Sequence, residues 1–571
     1  MTATRPELIG GSAAGPRPKP PPTSPRPSLP QAFIVLMVIY FVLSLTGSAD
    51  AYLSSDVGGK TAALEAMVDR GDWNPDLGYW AEASDPEGVV FPFANTTKTE
   101  NGKWVNTTSL PMVLAARPLW AIGGARLALL IPMAAAAGAA LVAGRLQQRL
   151  DPAGRSSAVW VVGLATPVAV YALDFWEHSL GVFLMGFGVL LLVESIDRRS
   201  MGRALGAGAA FGLAATMRQE ALVYGFVAGT VLAVELFRGR SKQQSWSRDV
   251  LICGSMAFGA VAMLVANAVA EIVLYGASLR SGRTVGATAS AGNNIGDRVD
   301  AAFTITLSPL NGIDPIATGF GIVILAGLTW LLLAVLGDHD RRAPAALLIA
   351  IATVLLLRVA RFGPSFVPGM VPAAPLVVAG AVLGIRSGAH RTMAVIALAP
   401  VPLVYLTQYV QGAVPQWGGR YLLFTGFLLV VVACSLLPVL DRAVFTGLVV
   451  AGLFVTSTGI WFNAERTNLL ADDFELIDSV ANGDVVVWYD PFMAREAGPA
   501  MLEQRWLSSV GDRERVAVLD VLHDEAVDRF VYIDRIGSDP ASFGGFVAVS
   551  DIGEWELSPV LDQRLTIFTR R

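Results

Sequence analysis

The chain has 571 residues, of which 53% are hydrophobic and 16% charged. Soluble domains carry about a quarter charged residues, so much of this surface must face something other than water. The net charge of -5 argues against a nucleic-acid binder. Cys253 and Cys434 both lie inside apolar runs, which leaves no disulfide framework or cysteine metal site.

Residues 1 to about 30 are Pro-rich and polar, with Arg5, Arg17, Lys19 and Arg26, and are expected to form a disordered cytoplasmic tail. The first apolar run, near Phe33 to Thr46, reads as an uncleaved membrane helix. Ala49-Asp50-Ala51 offers the rival reading of a signal-peptide cleavage site, which the long leading tail disfavours. Further apolar runs lie near 121–143, 157–173, 179–195, 204–217, 221–237, 250–273, 317–336, 343–360, 370–385, 392–408, 421–438 and 445–462. With the first they make about thirteen transmembrane helices, since a bilayer core takes roughly 20 apolar residues per crossing. The run from Ala204 to Met217 is short and suits a half-helix or a tilted segment.

Lysine and arginine counts set the orientation. With the N-terminus inside, the inner loops carry Arg145, Arg149 and Arg155; Arg198, Arg199 and Arg203; and Arg238, Arg240, Lys242 and Arg248. Arg341 and Arg342, Arg386 and Arg391, and Arg442 follow. An odd number of spans places the C-terminus outside. Three outer segments are large: about 48–120, about 274–316, and the tail of about 463–571. The second is rich in Gly, Ser and Asn and reads as a long, partly mobile loop. The tail reads as a small α/β domain, with strands at Asp484–Tyr489, Arg515–Val521 and Arg529–Ile533, a helix at Met501–Ser508, and a closing hairpin over Trp555–Thr569. The expected architecture is an α-helical polytopic membrane protein over 31–462, with a small extracytoplasmic α/β domain at its C-terminus.

Three clusters could carry chemistry. Residues 57–69 have helical spacing, with Ala63, Leu64, Met67 and Val68 as an apolar stripe, which puts Asp56 at the helix N-terminus. Such a residue can simply cap the helix. It can also be an ionised carboxylate, favoured by the helix dipole, that accepts a proton from an attacking hydroxyl. Asp174-Phe-Trp-Glu177-His178 lies in a very short connection, so its acids sit at the membrane interface, where ionisable groups are expensive. Asp174 and Glu177 are spaced to share one helical face. A divalent-metal site built from Asp56, Asp174, Glu177 and His178 is a further option. Arg218 in Met217-Arg-Gln-Glu220, Arg358 and Arg361 before Phe362-Gly-Pro-Ser, and Arg420 in Gln416-Trp-Gly-Gly-Arg-Tyr421 run against the positive-inside trend. Arginines near the outer leaflet suit the phosphate of a lipid-linked substrate. Each could instead pair with an acid, as Arg218 with Glu220 or Asp174. Gly-rich phosphate loops, His-Glu-x-x-His and Gly-x-Ser-x-Gly are absent. Asn95 and Asn106 lie in Asn-x-Thr sequons that read as incidental.

Tyr52-Leu-Ser-Ser-Asp56-Val-Gly-Gly-Lys, Asp174-Phe-Trp-Glu177-His178 and Gln416-Trp-Gly-Gly-Arg420-Tyr421 resemble segments of the GT-C superfamily of membrane glycosyltransferases. That superfamily includes protein mannosyltransferases, aminoarabinose transferases and RgtA-like enzymes, and the likeness is to actinobacterial members. It covers roughly residues 31–462. Many members carry an Asp-Glu pair where this chain has Asp56-Val57, which leaves Asp50 as an alternative to Asp56. The resemblance implies transfer of a sugar from a polyprenyl-phosphate donor to a hydroxyl of a glycan, lipid or protein, on the outer face of the membrane and with inversion. It implies Asp56 as catalytic acid residue, with Glu177 or Asp174 in support. Arg420, Arg218 and Arg361 would bind the donor phosphate, with His178, Gln416 and Tyr421 as further substrate-binding residues. No organic cofactor is implied. The rival reading is a transporter or flippase of lipid-linked cell-envelope precursors. It is disfavoured because no repeat relates the two halves and charges cluster at the interface rather than at mid-span.

Overall fold

In the computed structural model the described residues are 29–51, 55–93, 96–107, 109–152, 156–239, 245–279, 295–307, 368–407, 417–489, 497–535, 543–558 and 561–571. The expected spans at 317–336 and 343–360 fall outside them.

In chain order the membrane part has α1 (Leu29–Ser44), α2 (Ser55–Asp69), a two-stranded β1 (Thr96–Lys98) and β2 (Trp104–Asn106), α3 (Leu110–Ala128), α4 (Leu130–Leu150), α5 (Ser157–Leu164) and α6 (Pro167–Val170). There follow α7 (His178–Arg198), α8 (Met201–Met217), α9 (Glu220–Arg238), α10 (Trp246–Tyr275) and α11 (Ile295–Leu307). The last group is α12 (Met370–Ala373), α13 (Leu376–Arg386), α14 (Gly388–Leu398), α15 (Val401–Thr407), a 3₁₀ turn at Arg420–Leu422, α16 (Leu423–Ser435) and α17 (Arg442–Ala481).

Among the described residues, six helices are long and apolar enough to cross a membrane. Their outward faces are apolar: on α10, Leu251, Phe258, Val261, Val265, Val269 and Val273 are all exposed. A soluble protein does not leave such a stripe in water, so these faces meet lipid.

Several expected spans differ in detail. The run at 121–143 begins as a membrane helix only at Leu130, because α3 is broken by non-helical Gly123 and Gly124. The run at 157–173 is split between α5 and α6, where Pro167 opens a new helix after extended Thr166. Pro375 divides the run at 370–385 in the same way. The loop expected over 274–316 contains α11, whose Ala301 and Ile305 are buried in the bundle core.

The short run at 204–217 is a helix of 17 residues, and small side chains explain how it packs. Gly208 and Gly212 lie against the backbone of Met256 and Ala260 on α10, and Gly259 lies against Leu205. A Cβ at Gly208 would stand 1.8 Å from the Met256 carbonyl oxygen. This is the small-xxx-small contact by which membrane helices approach closely. Gly208→Ala is therefore expected to cost about 1–3 kcal/mol through overpacking. The measurement is thermal unfolding in detergent, against Gly202→Ala, where a Cβ meets nothing within 4 Å.

Arg149, Arg199 and Arg203 gather at one end of the bundle and pair across helices. Arg149 binds Glu194 at 3.0 Å and Asp197, Arg203 binds Glu194 at 2.8 Å, and Arg199 pairs with buried Asp249.

At the opposite end α17 does not stop at residue 463. It continues for 40 residues, about 60 Å, twice the hydrocarbon thickness. Beyond it lie β3 (Val485–Trp488), α18 (Ala500–Glu503), β4 (Arg505–Ser508), α19 (Asp512–Asp524), β5 (Arg529–Arg535), β6 (Phe546–Ser558) and β7 (Leu561–Arg570). The strands form one sheet in the order β4-β3-β5-β7-β6, parallel across β4-β3-β5 and antiparallel beyond. It is covered on both faces, which explains the unbroken apolar run of β3. Val486 and Trp488 face Leu470, Phe474 and Ile477 of α17 together with Ala62 and Ala63 of α2. Val485 and Val487 face Val518, Val521 and Leu522 of α19 together with Ala81 and Val90 of the first loop.

Two expectations for this region are corrected. Arg515–Val521 is helical, not a strand: Val518, Val521 and Leu522 are buried at helical spacing while Val516 is 60% exposed. The helix expected over Met501–Ser508 ends at Glu503, because Arg505–Ser508 pairs in parallel with Val485–Trp488. The closing hairpin starts earlier than Trp555, at Phe546.

The first loop is tied to this sheet. The Ser508 amide donates to the Val90 carbonyl at 2.9 Å and Trp80 Nε1 to the Trp506 carbonyl at 3.1 Å. Asp85 organises the loop by accepting from Val89, Val90 and the Tyr79 hydroxyl, each at 2.9 Å. Burial, with the Asp85 carboxylate alongside, pushes the Tyr79 phenol far above its ordinary range.

Candidate functional site

The site grows from α2, the helix wedged between the bundle and the C-terminal layer. Its Val57, Leu64 and Met67 enter the bundle core, while Ala62 and Ala63 face α17 and the sheet. Asp56 stands in its first turn and is half-buried. One turn further on, Lys60 is fully buried and its Nζ donates to Glu177 Oε2. Asn106 of β2 lies over the intervening turn, where a Cβ on Gly59 would stand 2.5 Å from the Asn106 side chain. Asn106 is 3% exposed, so its sequon is closed to modification in the folded chain.

The second wall is the connection from α6 to α7. Asp174 and Glu177 do not share a helical face. The Trp176 amide donates to the Asp174 carbonyl at 2.7 Å, closing a tight non-helical turn, and Glu177 is the N-cap position of α7. Asp174, Glu177 and His178 are all buried. The His178 ring stacks on Tyr171 at 4.5 Å and sits 4.6 Å from Trp176. Neither of its ring nitrogens has a hydrogen-bond partner among the described residues. Asn463 of α17 donates to the Leu173 carbonyl at 3.3 Å, which ties the long helix to this turn.

The third wall brings the arginines. Arg218 ends α8 in extended conformation and is buried. It binds Glu220 at 2.7 Å and lies 3.7 Å from Glu177. Arg420 is placed by the Trp417-Gly418-Gly419 turn. Both glycines are left-handed, at φ 71° and 65°, and a Cβ on Gly419 would stand 2.0 Å from the Ile305 carbonyl oxygen of α11. The Tyr171 hydroxyl donates to the Trp417 carbonyl at 2.8 Å, joining this turn to the ring under His178. Arg420 Nη2 donates to the Tyr421 hydroxyl at 2.7 Å, and its guanidinium lies 4.6 Å over the Tyr421 ring. The Arg218 guanidinium is 5.6 Å from the same ring.

Charges in this cluster are unevenly matched. Lys60 and Arg218 each have a carboxylate partner. Arg420 is 9% exposed, has no carboxylate partner among the described residues, and its Nε has no hydrogen-bond partner there. A buried cation without a counter-charge is costly unless something else supplies one. Arg218, Arg420 and Lys60 all lie close enough to act electrostatically on His178. Three buried cations, Lys60, Arg218 and Arg420, thus share the cluster with three buried carboxylates, Asp174, Glu177 and Glu220, and Arg420 is the cation not in contact with one of them, with Asp56 one helical turn from the Lys60 end.

Of the residues singled out in the sequence, Asp174, Glu177, His178, Arg218, Arg420 and Tyr421 converge, and α2 brings Asp56 to the same end of the bundle. Arg358, Arg361 and Gln416 lie outside the described residues. Asp50 is exposed in a bend before α2. Among the described residues no three His, Cys, Asp or Glu side chains gather as a metal-binding group. Glu177 is instead engaged by Lys60 and Arg218. Sequence reasoning passed over Lys60, Tyr171 and Asn463. Their only signal was position: Lys60 falls four residues after Asp56. A cavity of about 490 Å³, lined by Leu29, Phe33, Ile34, Leu141 and Arg145, lies at the opposite end and shares no residue with this cluster.

Glu177→Gln would leave fully buried Lys60 without its counter-charge. Removing one member of a buried pair costs about 3–5 kcal/mol. A correspondingly large fall in melting temperature is expected for the purified protein in detergent.

No protein-family model matches the chain, and no curated protein matches it by sequence. Among solved structures the chain is similar to the oligosaccharyltransferase of Archaeoglobus fulgidus, at 12% identity and a TM-score of 0.41, over 87% of this chain and 69% of that one. It is also similar to ArnT from Cupriavidus metallidurans bound to undecaprenyl phosphate, at 13% identity and a TM-score of 0.39, over 94% and 97%. A third is the arabinofuranosyltransferase AftD from Mycobacteria, at 14% identity and a TM-score of 0.41, over 94% of this chain and 41% of that one. Likenesses at this level leave the chemistry to be decided by the side chains themselves.

Proposed function

We propose that the protein is a membrane glycosyltransferase that moves a sugar from a polyprenyl-phosphate donor to a hydroxyl acceptor. The observation that carries this reading is Arg420: a buried guanidinium without a carboxylate partner among the described residues, beside His178, at the interfacial end of a lipid-facing bundle. A lipid-linked phosphate matches that seat in charge and reaches it from the bilayer. The donor arrives already activated, so no nucleotide-binding loop is required.

In the reaction, an acceptor oxygen forms a bond to the anomeric carbon while the bond from that carbon to the phosphate oxygen breaks. The acceptor proton passes to the Asp56 carboxylate. The electron pair of the broken bond goes to the polyprenyl phosphate, where Arg420 stabilises the growing charge. His178 offers a ring nitrogen to the same phosphate. Glu177, Arg218 and Tyr421 hold these groups in place, and Asp174 flanks the turn. Basic loops at the other end of the bundle favour a cytoplasmic position for that end, which puts the site and the C-terminal layer outside.

The test is transfer in membranes supplied with radiolabelled polyprenyl-phosphate sugars. Radiolabel passing to a glycan, lipid or protein fraction supports the reading. Radiolabelled lipid that crosses the bilayer with its sugar still attached, and no transfer from any donor, would make the protein a transporter instead.

A further inference from the structure

Four buried charges run in alternation through the site: Lys60, Glu177, Arg218 and Glu220, at 0%, 2%, 6% and 4% exposure. They belong to four different elements: α2, the turn before α7, the end of α8 and the start of α9. Lys60 contacts Glu177, Glu177 lies 3.7 Å from Arg218, and Arg218 binds Glu220 at 2.7 Å. Two positive and two negative groups cancel, so the row presents no net charge to a ligand.

What the row does instead is hold α2. Further along that helix Glu65 accepts from Trp120 Nε1 of α3, and the remaining attachment is apolar packing. Val57, Leu64 and Met67 face one side and small Ala62 and Ala63 the other. Gly58 and Gly59 add no side chain beside Asp56. Lys60 supplies a directional contact one turn from Asp56, since an ion pair requires its Nζ to point at one carboxylate. The Lys60 ammonium is also 5.9 Å from the Phe175 ring, on the same turn as Glu177. Asp56 lies four residues earlier, on the same face of α2.

We infer that Lys60 is the positioning residue for Asp56: its bond to Glu177 sets the rotation of α2 and with it the direction in which the Asp56 carboxylate points. This rests on the reading of Asp56 as the proton acceptor. It predicts that Lys60 governs turnover rather than donor binding, because the donor phosphate is held by Arg420 on a separate turn.

The experiment uses the full chain in detergent, comparing wild type with Lys60→Met and Lys60→Arg. Hydrogen exchange is read on peptides covering 55–69. Lys60→Met is expected to raise exchange there roughly tenfold or more, with the remaining peptides near wild type. Lys60→Arg, which keeps opposite charges in contact, is expected to stay near wild type and to define the result if Lys60→Met does not fold. In transfer assays Lys60→Met should lower kcat roughly tenfold or more with little change in donor KM, and Lys60→Arg should recover it. Wild-type exchange over 55–69 in Lys60→Met would overturn the inference. So would an equal rise across the whole chain, or a Lys60→Arg protein as loose over 55–69 as Lys60→Met. If wild type transfers no sugar, or Asp56→Asn transfers normally, the reading of Asp56 falls, while the exchange data still show whether Lys60 holds α2.

Discussion

Replacing Asp56 by asparagine is expected to lower sugar transfer by about 10²–10⁴, the range a positioned general base contributes. The substitution keeps the size and shape of the side chain and removes its charge, and with it the capacity to take the acceptor proton. Stability should change little. Asp56 is half-buried in the first turn of α2, where a carboxylate near a helix N-terminus is worth about 0.3–1 kcal/mol. That contrast makes the test informative, because a loss of several orders in rate with a nearly unchanged melting temperature cannot come from unfolding. The measurement pairs initial rates with thermal unfolding at equal protein. Transfer by Asp56→Asn at the wild-type rate would remove Asp56 from the mechanism.

Arg420→Ala is expected to lower transfer by about 10²–10³, the effect of removing one preorganised donor from a developing negative charge. Here activity and stability should move in opposite directions. Arg420 is buried without a carboxylate partner among the described residues, so its removal relieves a desolvation cost. The melting temperature without donor should hold or rise. Glu177→Gln should lower it steeply. Lysine at 420 should recover only part of the rate, since a point charge cannot lie flat over Tyr421 as the guanidinium does, with its centre at 4.6 Å. If donor protects wild type against heat, that protection should be lost in Arg420→Ala. A fall in melting temperature as steep as that of Glu177→Gln would instead make Arg420 a structural residue.

Several members of the buried charged cluster stand out in short stretches because ionisable groups beside membrane spans are rare. Glu177, Arg218 and Arg420 were visible for that reason, each flanked by apolar runs. Lys60 was not, because a lysine on a helix in a polar loop ordinarily points into water. Only the packing of α2 between the bundle and the sheet buries it, and its partner lies 117 residues away. The pairing of Arg218 with Glu220 was an open alternative in the sequence, and the structure realises it at 2.7 Å. The helical face expected for Asp174 and Glu177 failed because spacing alone cannot show that the Trp176 amide turns back to the Asp174 carbonyl.

The same division runs through the fold. Long apolar runs by themselves determine that helices lie in lipid, since backbone groups there must bond within their own helix. The basic loops and the interfacial acids are likewise sequence properties. Tertiary structure decided the rest. Val516-Ala-Val-Leu-Asp-Val521 has the β-branched composition of a strand, yet it is a helix because its partner surface is the flat face of a sheet. Arg505–Ser508 becomes a strand because β3 offers it a parallel edge. That Arg420 has no carboxylate partner among the described residues follows only once Lys60, Glu177, Arg218 and Glu220 have found one another. Local sequence sets which groups are costly to bury, and only the three-dimensional pairing decides which of them meet a counter-charge.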